Sequence, residues 1–131
     1  MAASELNSRT AIEVLEDHLN LAQDWDTEEQ FQRSLEDDLA RNVSEEIVVI
    51  MKRGTFRGHG GVRELADALG QELPEHNSFH YDFVAVDGRL GLLEWTYEDS
   101  QVRVRDGVDS YLVEGGKIVG QTIHYTLEPK A

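Results

Sequence analysis

Asp82, Asp109, His80, His124 and Tyr111 are the side chains of this sequence best suited to move protons, provided the fold brings them together. A carboxylate desolvated beside Trp95 has its pKa raised and can act as a general base; Asp109 and Asp82 are the candidates. A histidine, His80 or His124, relays or donates the proton, and the Tyr111 hydroxyl stabilises a developing enolate. The reaction class is proton transfer next to a carbonyl: isomerisation, aldol-type cyclisation or dehydration, with no cofactor required. His18, Trp25, Trp95, Tyr97 and Tyr125 are candidates to hold the substrate. Each residue also has a structural reading. Asp82 can accept a hydrogen bond at a strand edge, Asp109 can bind backbone at a bulge, and His18 can be a satisfied core histidine. His80 and His124 can face solvent, and Trp95 and Tyr111 can simply fill the core.

Other chemistries find less support. With no cysteine there is no thiolate nucleophile, disulfide or iron–sulfur ligand. His80, Asp82 and His124 would make a two-histidine, one-carboxylate metal triad, but nothing else favours it and no metal is expected. The glycines from Gly54 to Gly61 lack the Gly-Lys-Ser/Thr of a phosphate loop, and no Gly-x-Ser-x-Gly elbow occurs. The formal net charge is −14, with 13 Asp and Glu against three Arg in residues 1–46. That argues against nucleic acid and anionic membrane surfaces and reads most simply as solvated helix faces. No apolar run approaches a membrane span, and Met1 to Arg9 has no apolar leader core, so a cytoplasmic location is expected.

The elements that must position these residues can be read from periodicity. The 131 residues suit one domain, 1–131. Thr10 with Glu13 is a capping box opening a helix. Its apolar positions are Ile12, Leu15, Leu19 and Ala22, with Val14, His18, Leu21 and Trp25 beside them. Thr27 with Gln30 opens a second helix, with Phe31, Leu35 and Leu39 inward and Glu36, Asp37 and Asp38 towards water. Ile47 to Met51 is a short strand. Val62, Leu65, Ala66, Leu69 and Leu73 stripe a third helix closed by Pro74. From Ser78 on, turns at Asp87-Gly88, Asp99-Ser100 and Gly115-Gly116 divide a four-strand meander. Helices followed by strands make an α+β fold.

Turn positions fix register. A two-residue Asp87-Gly88 loop puts His80 opposite Trp95 and Asp82 opposite Leu93. One face then carries His80, Asp82, Leu93, Trp95, Tyr97 and Val104. The other carries Tyr81, Phe83, Leu90, Leu92, Glu94, Arg103 and Arg105, with a Glu94–Arg105 ion pair across strands. A bulge at Gly107 reverses the phase and brings Asp109, Tyr111 and Val113 to the first face. The Gly115-Gly116 turn then adds Ile118, Thr122 and His124. The apolar centre and charged rim of the second face suit a homodimer interface built from Tyr81, Phe83, Leu90, Leu92, Arg103 and Arg105.

Gly54, Phe56, Arg57, Gly58, Gly61 and Val62, the Trp95-Thr96 strand, Asp109-Ser110-Tyr111, Gly116-Lys117-Ile118 and Tyr125, in this order and spacing, resemble a SnoaL-like member of the nuclear-transport-factor-2-like superfamily. The resemblance covers essentially the whole chain. It implies a cone-shaped, cystatin-like α+β fold: a curved antiparallel sheet wrapped around a long N-terminal helix, with a pocket inside and usually a homodimer outside. Relatives include ketosteroid isomerases, polyketide cyclases, limonene-epoxide hydrolases and scytalone dehydratases, while others bind ligands or partners without catalysis. Gln121-Thr122-Ile123 lacks the carboxylate that polyketide cyclases tend to carry in the last strand, so no one subfamily's catalytic set transfers residue by residue. Two readings stand: a cofactor-independent isomerase or lyase acting on a small hydrophobic carbonyl compound, and a ligand-binding or protein-interaction module of the same fold.

Overall fold

The computed structural model describes residues 6–130. The expectation for Met1 to Arg9 therefore falls partly outside the described residues. Two capped helices lead: α1, Ala11–Gln23, and α2, Glu28–Asn42. Both capping boxes form, Thr10 exchanging hydrogen bonds with Glu13 and Thr27 with Gln30, so each helix start has its orphan amides satisfied. The strand β1, Val43–Met51, follows α2 directly and turns into β2, Gly54–Arg57. Helix α3 is Gly58–Glu72, and a 3-10 turn at His76–Ser78 leads into the meander. The meander is β3, Phe79–Asp87; β4, Leu90–Glu98; β5, Val102–Glu114; and β6, Lys117–His124, with a short β7 at Glu128–Pro129.

The sheet runs β2-β1-β6-β5-β4-β3, with β7 on the first part of β5. It is antiparallel except that β1 joins β6 in parallel. Three register breaks bend it within the meander: at Asp82 in β3, at Arg105-Asp106 in β5, and at Val119 in β6. Each inserts a residue, and an inserted residue increases local twist and exchanges the two faces. The helices cover the resulting inner face. Val14 and Leu15 of α1, Leu39 of α2 and Leu65 of α3 are buried with Leu93, Trp95, Tyr111 and Ile123 of the sheet. Glycine permits the closest approaches. A Cβ at Gly91 would sit 2.3 Å from Leu15, and one at Gly107 would sit 2.3 Å from the Trp95 ring. Among the described residues, no helix is long and apolar enough to cross a membrane.

The bulges decide which sequence expectations hold. The break beside Gly107 reverses β5 as expected, and Asp109, Tyr111 and Val113 are buried inside. The β3–β4 turn is Gly88-Arg89, two residues along from the expected pairing, a slip that alone leaves the faces unchanged. The insertion of Asp82 does not. It aligns Tyr81 with Trp95 and Phe79 with Tyr97, so Tyr81 turns inward while His80 and Asp82 turn out and are exposed. Val113 meets Ile118 across the Gly115-Gly116 turn as expected, but the insertion at Val119 then puts Gln121 opposite Tyr111 and Ile123 opposite Asp109. His124 therefore lies outside, 3.5 Å from Asp106. Glu94 pairs across with Val108, and Arg105 binds Glu128 instead, replacing the expected ion pair.

Candidate functional site

The inner face and the helices enclose a cavity of about 340 Å³. Its solvent end is framed by Trp25, Phe31 and His76. The Trp25 ring stacks on His76 at 3.7 Å and tilts against Phe31 at 4.8 Å, and its indole N–H donates to the Ala22 carbonyl at 2.9 Å. The walls are apolar: Leu19, Leu35, Leu65, Leu69, Leu73, Phe79 and Ile123. The buried end is polar, formed by His18, Asp38, Tyr81, Trp95, Asp109, Tyr111 and Gln121. Apolar walls with a few convergent polar groups are the usual form of a small-molecule site.

Two acidic groups organise the polar end. Asp109 accepts at one oxygen from the Trp95 indole N–H at 2.9 Å. At the other it accepts from the Tyr111 hydroxyl at 3.2 Å and the Gln121 amide at 3.1 Å. Burial pushes its pKa up, and the three hydrogen bonds oppose that rise. The donors follow from the strands. Tyr111 lies two residues on along the same strand face, Trp95 reaches over from the neighbouring strand, and Gln121 faces Tyr111 because of the β6 bulge. Burial and the nearby Asp109 charge hold the Tyr111 phenol well above its ordinary value.

Asp38 is the second. One of its oxygens lies 2.7 Å from His18 Nδ1, and the other accepts from Asn42 at 2.9 Å. Burial disfavours the imidazolium, but the charge and hydrogen bond of Asp38, helped by Asp109 and Asp17, outweigh it, and the His18 pKa is raised. Asp38 fixes Nδ1 as the donor, so Nε2 is left to act, and among the described residues no hydrogen bond is formed at Nε2. The His18 ring meets the Tyr111 ring edge-on at 5.6 Å. Behind the pair, Asn42 also donates to Asp17 at 2.8 Å, and Arg9 donates to Asn42 at 2.9 Å and to the carbonyls of Arg41 and Gly116. The helix pair is thus locked to the β5–β6 turn.

Of the ten residues singled out from the sequence, the cavity brings together His18, Trp25, Trp95, Asp109 and Tyr111. His80, Asp82 and His124 are exposed on the outer face. His80 and His124 lie on β3 and β6, three strands or about 14 Å apart, which removes the metal triad. Tyr97 is buried away from the cavity, its hydroxyl donating to Asp99 and accepting from the Glu75 amide. Tyr125 packs on Trp95 at 5.5 Å and donates to Glu72; burial pushes its phenol up to about 12.

Asp38 and Tyr81 were missed. Asp38 is 7% exposed, not turned to water. Its signal was legible: Phe31, Leu35, Asp38, Leu39 and Asn42 share one helical stripe. Tyr81 lines the cavity, and burial, with the charges of Asp109 and Asp38, raises its pKa so that it stays a hydroxyl donor. Nothing in the sequence marked the bulge that turns it inward.

The profile of the SnoaL-like domain matches residues 27–121. Among curated proteins none matches. Solved structures share the fold at low identity. A SnoaL-like family protein from Agrobacterium tumefaciens, described as a candidate isomerase, is 13% identical over 88% of this chain and 97% of its own, with TM-score 0.63. A nuclear-transport-factor-2-like protein of unknown function from Burkholderia xenovorans is 15% identical over 92% of this chain and 88% of its own, with TM-score 0.61. TerC, crystallised with polyporic acid, is 15% identical over 88% of this chain and 91% of its own, with TM-score 0.65.

Proposed function

The chain belongs to the SnoaL-like domain family, and we propose that it is a cofactor-independent isomerase, cyclase or dehydratase. It acts by proton transfer on a small hydrophobic carbonyl compound. One observation carries this reading: His18, at the polar end of the cavity, is held at Nδ1 by buried Asp38 at 2.7 Å and keeps Nε2 for a substrate. Neutral His18 takes the proton beside the carbonyl at Nε2. Asp38 steadies the imidazolium that results and is the positioning residue. The Tyr81 hydroxyl donates to the developing enolate oxygen. Asp109 is the weaker base, because three donors already occupy its two oxygens; it orients the ligand as an acceptor. The names of fold relatives fit the reading: one is described as a candidate isomerase, and TerC was crystallised with polyporic acid.

Exchange of deuterium from solvent into cyclic ketones, followed by NMR, tests proton transfer before any product is known. The protein is expected to accelerate exchange for at least one ring class, and His18→Gln is expected to abolish the acceleration in a folded chain. Exchange that survives His18→Gln would refute the reading.

The outer sheet face supports a homodimer. Phe83, Leu90 and Leu92 are exposed there, and Leu90 pairs across with Leu112, with Asp87 and Glu94 at the edges of the patch. Tyr81 faces inward and Arg103 and Arg105 bind Glu128, so the interface is narrower than the sequence alone implied.

A further inference from the structure

We propose that the cavity's ligand carries a positive charge: a lipophilic ring compound with a basic amine, its ammonium group seated against Asp109. The proposal rests on the reading of the cavity as a small-molecule site and adds the charge of what enters it. Among the described residues no Lys or Arg lines the cavity, whereas Glu28, Asp38 and Asp109 do. Asp38 has a counter-charge in His18, which lies 2.7 Å away and becomes cationic on protonation. Asp109 has none. Its donors are an indole, a phenol and an amide, all neutral, and among the described residues no salt bridge reaches it.

A buried carboxylate without a cation is costly to keep ionised, and an entering ammonium removes that cost. Among the described residues the oxygen bound by Trp95 accepts that one hydrogen bond, and it has capacity for another. Aromatic faces border the same space: Trp25, Phe31, Phe79, Tyr81, Trp95 and Tyr111. Such faces attract cations. The approach has the same sign. Asp24, Asp26 and Asp37 line a depression that shares Trp25 with the cavity mouth, with Arg33 against them. An anionic ligand would meet repulsion along this path, and at its end His18, the imidazole that can turn cationic, is already held by Asp38.

The test is a matched trio on one bicyclic ring: aminotetralin, tetralol and tetralin carboxylate, measured by calorimetric titration and thermal shift near neutral pH. The amine is expected to bind about tenfold tighter than the alcohol, and the carboxylate to give no shift. Asp109→Asn is expected to bring the amine down to the affinity of the alcohol. Should that variant not fold, the trimethylammonium analogue replaces it in the wild-type protein. It keeps the charge without N–H donors and is expected still to exceed the alcohol. An alcohol that binds as tightly as the amine, or a carboxylate that binds comparably, overturns the charge assignment while leaving the proton-transfer reading intact. No binding by any of the three also overturns the charge assignment, and deuterium exchange into cyclic ketones then decides the proton-transfer reading separately.

Discussion

Replacing Asp38 by Asn should reverse the direction in which His18 is shifted. In the native protein, burial is the largest influence on His18 and lowers its pKa, but the charge and hydrogen bond of Asp38 carry it above the ordinary 6.5. The amide removes the charge and leaves the burial. Asp109 and Asp17 persist as smaller, more distant helpers. An adjacent carboxylate is worth roughly one to three pH units, so His18 in the Asp38→Asn chain should titrate below 6.5. The stability consequence follows from linkage. The native His18 pKa is raised, so its contribution is fully present below the unfolded value near 6.5 and is lost as pH rises through the folded value. The cost of Asp38→Asn should therefore be largest in acid, about 2 kcal/mol or more near pH 5.5. It should shrink to about 1 kcal/mol near pH 8.5, where the amide faces donors from both His18 and Asn42 and satisfies only one well. Imidazole NMR titration reads the pKa directly, and urea unfolding at the two pH values reads the cost. A His18 that still titrates above 6.5 in the Asp38→Asn chain would refute the dyad.

Other perturbations follow from the same packing. Gly107→Ala puts a methyl against the Trp95 ring, which is tethered to Asp109; a loss of about 1–3 kcal/mol, or roughly 4 °C in Tm per kcal/mol, should appear in calorimetry. Arg9→Ala leaves the Asn42 side-chain oxygen and the Arg41 and Gly116 carbonyls without this donor, while Asp17 keeps Arg41, and should cost about 1–3 kcal/mol by urea unfolding, because the Arg9 side chain is only 8% exposed. Phe83→Glu with Leu90→Glu should yield a folded monomer by sedimentation, where the unsubstituted chain is expected to run as a dimer; an unchanged mass would remove the sheet face as the interface.

The helices were legible because their signals are local. Thr10 with Glu13 and Thr27 with Gln30 cap as their spacing requires, and Val14, Leu15, Leu35 and Leu39 pack inward, whereas Ile12 and Ala22, expected on the same stripe as Leu15, are exposed. Asp109 and Tyr111 were legible because a glycine inside a strand advertises its bulge. The bulges at Asp82 and Val119 have no such marker. Each is one inserted residue whose position depends on how the strand packs over Trp95 and Tyr111. They cost the sequence reading His80, Asp82 and His124 and hid Tyr81. Asp38 was misplaced for a different reason: it closes an acidic run, Glu36-Asp37-Asp38, and the run outweighed the stripe. The parallel pairing of β1 with β6 joins segments distant in sequence, and no local pattern announces it.

The most direct test of His18 as the proton acceptor is the pH profile of deuterium exchange into the best cyclic ketone, set beside the NMR titration of His18 in the same protein. Exchange should rise with pH and level off, with a midpoint at the His18 pKa above 6.5, and Asp38→Asn should move both midpoints down together. A profile that levels off in the carboxylate range, unmoved by Asp38→Asn, would contradict the account and make Asp109 the base.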